Sequence, residues 1–189
     1  MPRWINIPNS FTLIRILLAP VVVVAILDGH LSAALGWFIA AGTTDVIDGA
    51  LARRFGLMTT AGAYLDPIAD KLLLSGSFLA LATAKVVPWW LVAVIFGRDL
   101  YILAGALAMM RLKGVRKFPP SIWGKLSTFI QVLTAVAWMA KDLLQHGALA
   151  GFAAATIWPC AAVTLWSGIH YTWRTARMYV RIDGLPVRE

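Results

Sequence analysis

Apolar residues in this chain gather into long unbroken runs. They cover roughly residues 11–28, 31–52, 65–84, 87–110, 122–141 and 148–171. Each run is near the ~20 residues that a helix needs to cross about 30 Å of hydrocarbon. The alternating pattern of a β-barrel and a separate soluble domain have no room beside them. The runs predict an all-α polytopic membrane protein of about six transmembrane helices, a single membrane domain over residues 1–189. Ahead of the first run, "NIPNSFTLIR" sets Asn6, Asn9, Ser10 and Thr12 among apolar residues. It reads as an N-terminal interfacial segment with Arg15 near headgroup level. Pro20 and Pro159 kink their spans without preventing them from crossing.

Composition agrees. The chain is 60% hydrophobic and 14% charged, with a mean hydropathy of +0.75, whereas a soluble domain carries about 25% charged residues. The net charge of +8 would suggest nucleic acid in a soluble protein, but here the cations sort by loop. Arg53 and Arg54 follow the second run. Arg111, Lys113, Arg116, Lys117 and Lys125 lie between the fourth and fifth, and Arg174, Arg177, Arg181 and Arg188 follow the sixth. The opposite loops carry Lys85 and Lys141. The positive-inside rule then puts both termini on the cytoplasmic side, as in the inner (plasma) membrane of a bacterium. The basic excess faces anionic membrane lipids and no nucleic acid partner. No small-x-small cleavage site follows the first run, and the single Cys160 excludes an intrachain disulfide.

The charge that composition does not explain is negative. Four of the eight aspartates lie in "DVIDGALARRFGLMTTAGAYLDPIADK", residues 45–71. Asp45 and Asp48 are three apart, Asp66 and Asp70 four apart, and both spacings place a pair on one helix face. An antiparallel turn between the two helices can bring all four carboxylates together. Unneutralised there, they must protonate or bind cations. Oxygen-only ligands suit Mg²⁺, Mn²⁺ or Ca²⁺ rather than zinc. Two divalent cations match four carboxylates in charge, and a two-metal site is a common clamp for displacement at phosphorus. Gly49 and Gly62 leave room for a bulky group near backbone, Ala52 is small on the Asp45–Asp48 face, and Arg53 can fork onto phosphate oxygens.

Asp45, Asp48, Gly49, Ala52, Arg53, Gly62, Asp66 and Asp70 fit D-x2-D-G-x2-A-R-x8-G-x3-D-x3-D without a gap. This resembles the signature of the CDP-alcohol phosphotransferases. "NIPNSFTLIRILLAP", "LDPIADK", "GRDLYI" and "WGKLSTFIQ" extend the resemblance to the glycerophospholipid-synthesising branch over about the first 135 residues. The resemblance implies a six-span homodimer in which an acceptor hydroxyl attacks the phosphorus bearing diacylglycerol in CDP-diacylglycerol, and CMP leaves. It implies that Asp45, Asp48 and Asp66 bind metal, and that Asp70 contacts the second ion and serves as general base. Gly49, Ala52, Arg53 and Gly62 then shape the nucleotide pocket.

Two acceptors compete. Arg98 followed by Asp99 in "GRDLYI" resembles the cardiolipin-forming members, which use phosphatidylglycerol. Phosphatidylglycerophosphate-forming members, which use glycerol 3-phosphate, more often carry Arg-Glu there. The expected acceptor site comprises Arg98, Asp99, Lys125 and Arg116, with phosphatidylglycerol preferred. Arg98 and Asp99 fall near mid-membrane and should pair with each other and their neighbours or face a hydrated cavity. A cation transporter using the aspartates would spread acidic groups through the membrane depth, whereas these lie at one level. A non-catalytic scaffold would have lost part of the signature.

Overall fold

The first apolar run folds as α1 (Ile7–Leu27), and the order continues with α2 (Leu31–Phe55), α3 (Thr60–Thr83), α4 (Trp89–Lys113), α5 (Ile122–Ala140) and α6 (Gly147–Asp183). The computed structural model describes the backbone of residues 7–55, 60–113, 121–141 and 147–183, and side chains over 12–44, 65–111, 121–141 and 147–177. Among the described residues there are six helices and no strand. Among the described residues two stretches are long and apolar enough to cross a membrane, Trp89–Arg111 and Gly147–Arg177, and shorter apolar stretches cover Thr12–Leu27 and Leu31–Thr44.

Three boundaries differ from the sequence reading. The interfacial segment is continuous with α1, because Pro8 falls in the first turn, where its missing N–H has no helical partner to lose. α3 begins at Thr60 rather than at residue 65, so Pro67 lies inside the helix. α6 runs 37 residues to Asp183, which at about 1.5 Å per residue exceeds a hydrocarbon core by many turns. Arg174, Arg177 and Arg181 therefore sit on a helical extension rather than in a tail.

The helices fall into two compact units, Met1–Pro88 with Ala135–Ala154, and Trp89–Thr134 with Ala155–Glu189. In the first unit α1 packs against both α2 and α3. Its buried face is Thr12, Arg15, Ala19, Val22 and Ile26, spaced by three and four residues, while Leu13, Leu17, Val21 and Val24 are exposed. Apolar residues on the outward face are what lipid contact requires. The α1–α2 corner closes in a Schellman cap: Gly29 N–H donates to the Ile26 carbonyl (3.0 Å) and His30 N–H to that of Ala25 (2.8 Å). Gly29 takes φ +79°, a conformation that costs glycine nothing. The same cap ends α3, with Val86 N–H donating to Leu81 (2.8 Å) and Lys85 to Ala82 (3.0 Å). Here a lysine, Lys85, holds the left-handed position at φ 58°.

In the second unit α4 and α6 run parallel. Contacts advance together from Trp90–Trp158 (centroids 5.6 Å apart) through Arg98–Ser167 to Tyr101–Thr172 (2.7 Å). α5 runs against α6, with Trp123 meeting Trp166 edge-on and Ser127 meeting Thr164 at 3.1 Å. Gln131 donates to both Ser127 and Thr164, at 3.2 and 3.1 Å, in a fully buried cluster.

Candidate active site

Both aspartate pairs lie on helix. α2 is helical through Asp45 and Asp48 and α3 through Asp66 and Asp70, so each pair shares a face as its spacing requires. The side chains of Asp45, Asp48, Ala52 and Arg53 and the surroundings of Gly49 and Gly62 lie outside the described residues. Asp66 and Asp70 are described, and their partners come from α1.

The Thr12 hydroxyl donates to Oδ1 of Asp66. One turn along α1, Arg15 Nη1 donates to Oδ1 of Asp70 at 2.7 Å. The two rungs match because α1 and α3 run parallel: a three-residue step on one meets a four-residue step on the other. Further along, Gly76 keeps the helices close, since a Cβ there would lie 3.2 Å from Val23 Cγ2. The ion pair is lopsided in exposure. The Arg15 side chain is 1% exposed and that of Asp70 56%. A cation is thus fixed in the protein while its carboxylate opens outward. Its position on the α1 face toward α3 turns the Arg15 side chain inward and buries it there.

The donor set fits a hard divalent cation in its described part, which is two carboxylates one turn apart with no nitrogen or sulfur ligand. Among the described residues no group of three or more His, Cys, Asp or Glu converges. The other expected ligands, Asp45 and Asp48, lie outside the described side chains.

In the second unit Arg98 and Asp99 pair with each other at 3.0 Å, with side chains 13% and 15% exposed. Arg98 Nη2 also donates to Ser167 Oγ at 2.6 Å. Space for the guanidinium comes from glycine: a Cβ on Gly124 would stand 3.3 Å from Arg98 Nη2, and one on Gly168 3.7 Å from Arg98 Cγ. Arg98 lines an open groove of about 380 Å³ whose other walls include Ala93, Val94, Leu165 and Ile169. Lys125, one residue beyond Gly124, is exposed, and Arg116 lies outside the described residues.

Thr12, Arg15 and Ser167 had no assigned place in the site. For the first two a signal existed: a polar pair three apart on an otherwise apolar helix, matched in step to Asp66 and Asp70. Ser167 carried none, because a lone serine in a transmembrane run is common.

Among the described residues the chain is all-α, with two helices long and apolar enough to cross a membrane and with Asp66 and Asp70 one turn apart on α3. The CDP-alcohol phosphatidyltransferase family profile matches residues 5–166, and the chain belongs to that family. It is accordingly an enzyme of phospholipid biosynthesis. The family is membrane-associated, uses CDP-alcohol donors and alcohol acceptors such as phosphatidylglycerol or glycerol 3-phosphate, and is generally dependent on divalent metal.

Among its relatives is a protein of Mycobacterium tuberculosis named "Probable phosphatidylglycerophosphate synthase", 37% identical over 93% of this chain and 84% of that one. The CDP-diacylglycerol–glycerol-3-phosphate 3-phosphatidyltransferase of Bacillus subtilis is 31% identical over 88% of this chain and 93% of that one. The cardiolipin synthase (CMP-forming) of Rattus norvegicus is 30% identical over 92% of this chain and 63% of that one. Family membership sets aside the transporter and scaffold alternatives.

Proposed function

We propose that this enzyme transfers the phosphatidyl group of CDP-diacylglycerol to the free hydroxyl of phosphatidylglycerol, forming cardiolipin and releasing CMP. Asp45, Asp48, Asp66 and Asp70 hold two divalent cations, Mg²⁺ or Mn²⁺, with Ca²⁺ also suited to oxygen ligands. When bound, these ions stabilise charge on the pyrophosphate and the departing CMP. Asp70 takes the proton of the acceptor hydroxyl as its oxygen bonds to phosphorus. Its exposed carboxylate, on a helix pinned by α1, suits a base that must meet an incoming hydroxyl. Gly49, Ala52, Arg53 and Gly62 form the nucleotide pocket. Around this chemistry we propose a single domain of six transmembrane helices, homodimeric, with both termini and the site on the cytoplasmic face of a bacterial inner membrane.

The observation that carries the acceptor is the groove at Arg98. Arg98 can hold a phosphodiester, and we assign Asp99, Lys125 and Arg116 to the same acceptor site. Ala93, Val94, Leu165 and Ile169 beside it suit an acceptor that bears acyl chains. Glycerol 3-phosphate has no apolar part to use such walls. The second reading, phosphatidylglycerophosphate synthesis, is favoured by the 37% relative. Thin-layer analysis of the lipid made from CDP-diacylglycerol with each acceptor in turn decides between them. Cardiolipin as the faster product supports the first reading, and phosphatidylglycerophosphate as the faster product replaces it with the second.

A further inference from the structure

Arg15 is buried to 1% exposure on a helix that packs against both α2 and α3. It cannot retreat to water. Its partner Asp70 is 56% exposed, so a cation arriving from solvent can reach the carboxylate while the guanidinium stays where it is. A divalent cation on Asp70 then stands beside the guanidinium, and an anion that meets both relieves their repulsion. The donor brings that anion. Its pyrophosphate presents paired oxygens, to which a guanidinium fork is matched in geometry and charge.

We infer that Arg15 is a donor-binding residue kept in reserve on Asp70: it balances the carboxylate in the metal-free enzyme, and it receives the pyrophosphate of the CDP-linked lipid once a divalent cation takes Asp70. Metal and donor thereby favour one another's binding, because the donor's anion relieves the repulsion between metal and guanidinium. Thr12 keeps Asp66 in register meanwhile. This rests on the reading of Asp70 as a metal ligand.

The test uses the full chain purified in detergent, with Mn²⁺ binding followed by electron paramagnetic resonance and CDP binding by tryptophan fluorescence. Arg15→Gln should bind Mn²⁺ alone about tenfold more tightly than the unmodified enzyme, because the competing cation is gone. At saturating Mn²⁺ it should bind CDP about tenfold more weakly. A residue that only holds helices together would weaken both. Where Arg15→Gln does not fold, Arg15→Met removes the charge, keeps the stem's volume and carries the same expectation. Unchanged or weaker Mn²⁺ binding in a folded Arg15 variant overturns the inference, as does unchanged CDP affinity. Asp70→Asn separates the two layers. If it leaves Mn²⁺ affinity unaltered, the metal reading of Asp70 falls and this inference with it. If it weakens Mn²⁺ while Arg15→Gln does not tighten it, the metal reading stands and the inference alone fails.

Discussion

Arg98→Gln removes a guanidinium that lies 3.0 Å from Asp99 and 2.6 Å from Ser167. Two consequences follow, and they can be separated. The first is stability. The side chains are 13% and 15% exposed, and removing one partner of a fully buried pair costs about 3–5 kcal/mol. Residual exposure and the further contact of Asp99 bring the expectation to about 2–3 kcal/mol. The second is acceptor use. Charge-assisted hydrogen bonds to a phosphodiester contribute about 1.5–3 kcal/mol, so kcat/KM for phosphatidylglycerol should fall about 10–100-fold. The KM for CDP-diacylglycerol should stay within about twofold.

Arg98→Met combined with Asp99→Leu tells these apart. With both charges gone, no carboxylate is left without its cation, and stability should return to within about 1 kcal/mol of the unmodified enzyme. Acceptor use should stay low. Melting followed by tryptophan fluorescence reads the first quantity, and chromatography of labelled cardiolipin over a series of phosphatidylglycerol concentrations reads the second. If phosphatidylglycerol turnover recovers along with stability, Arg98 is only a helix-pairing residue and the acceptor reading of the groove is wrong.

Asp70→Asn should abolish transfer yet retain measurable CDP binding, and near-native turnover of the purified variant would rule Asp70 out as the base. Activity should vanish with a chelator and return with Mg²⁺ or Mn²⁺, whereas full activity after exhaustive chelation refutes the two-ion scheme. Single cysteines at Pro2 and Arg188, in a background where the buried Cys160 is serine, should label from the same side of the membrane. Labelling from opposite sides means an odd number of crossings. Lys85→Gly should raise stability by up to about 1 kcal/mol, since a non-glycine residue at φ 58° gives up that strain. An unchanged or lower melting temperature counts against it.

The six elements were legible because runs of about twenty apolar residues have few alternatives in lipid. Boundaries were less so. The third apolar run suggested a start at residue 65, yet α3 begins at Thr60, with Pro67 inside the helix. A proline inside a helix is tolerated more easily in a membrane protein than the soluble-protein rule allows. The aspartates declared themselves by spacing, since three and four residues on a helix bring side chains to one face whatever the fold around them. The Arg98–Asp99 pairing followed as one of the two arrangements, a pair or a hydrated cavity, that the cost of an isolated charge in a membrane allows. Arg15 did not, because an arginine beside an apolar run looks the same whether it snorkels to headgroups or turns inward to a carboxylate. That choice depends on which face of α1 meets α3, and with it on where Gly76 lets the two helices approach.

Two polar contacts between helices differ in how they are exposed. Gln131, Ser127 and Thr164 satisfy each other as neutral neighbours, all with almost no exposure. Such bonds contribute about 0.6 kcal/mol each to holding transmembrane helices together. The Arg15–Asp70 pair joins a buried cation to a carboxylate more than half exposed. For stability alone that geometry is a poor choice, because solvent weakens the attraction while the guanidinium still bears its full desolvation cost. The asymmetry makes sense if the outward carboxylate has other partners to meet. An exposed Asp70 beside a buried Arg15 is the geometry that the proposed metal and base roles of Asp70 call for.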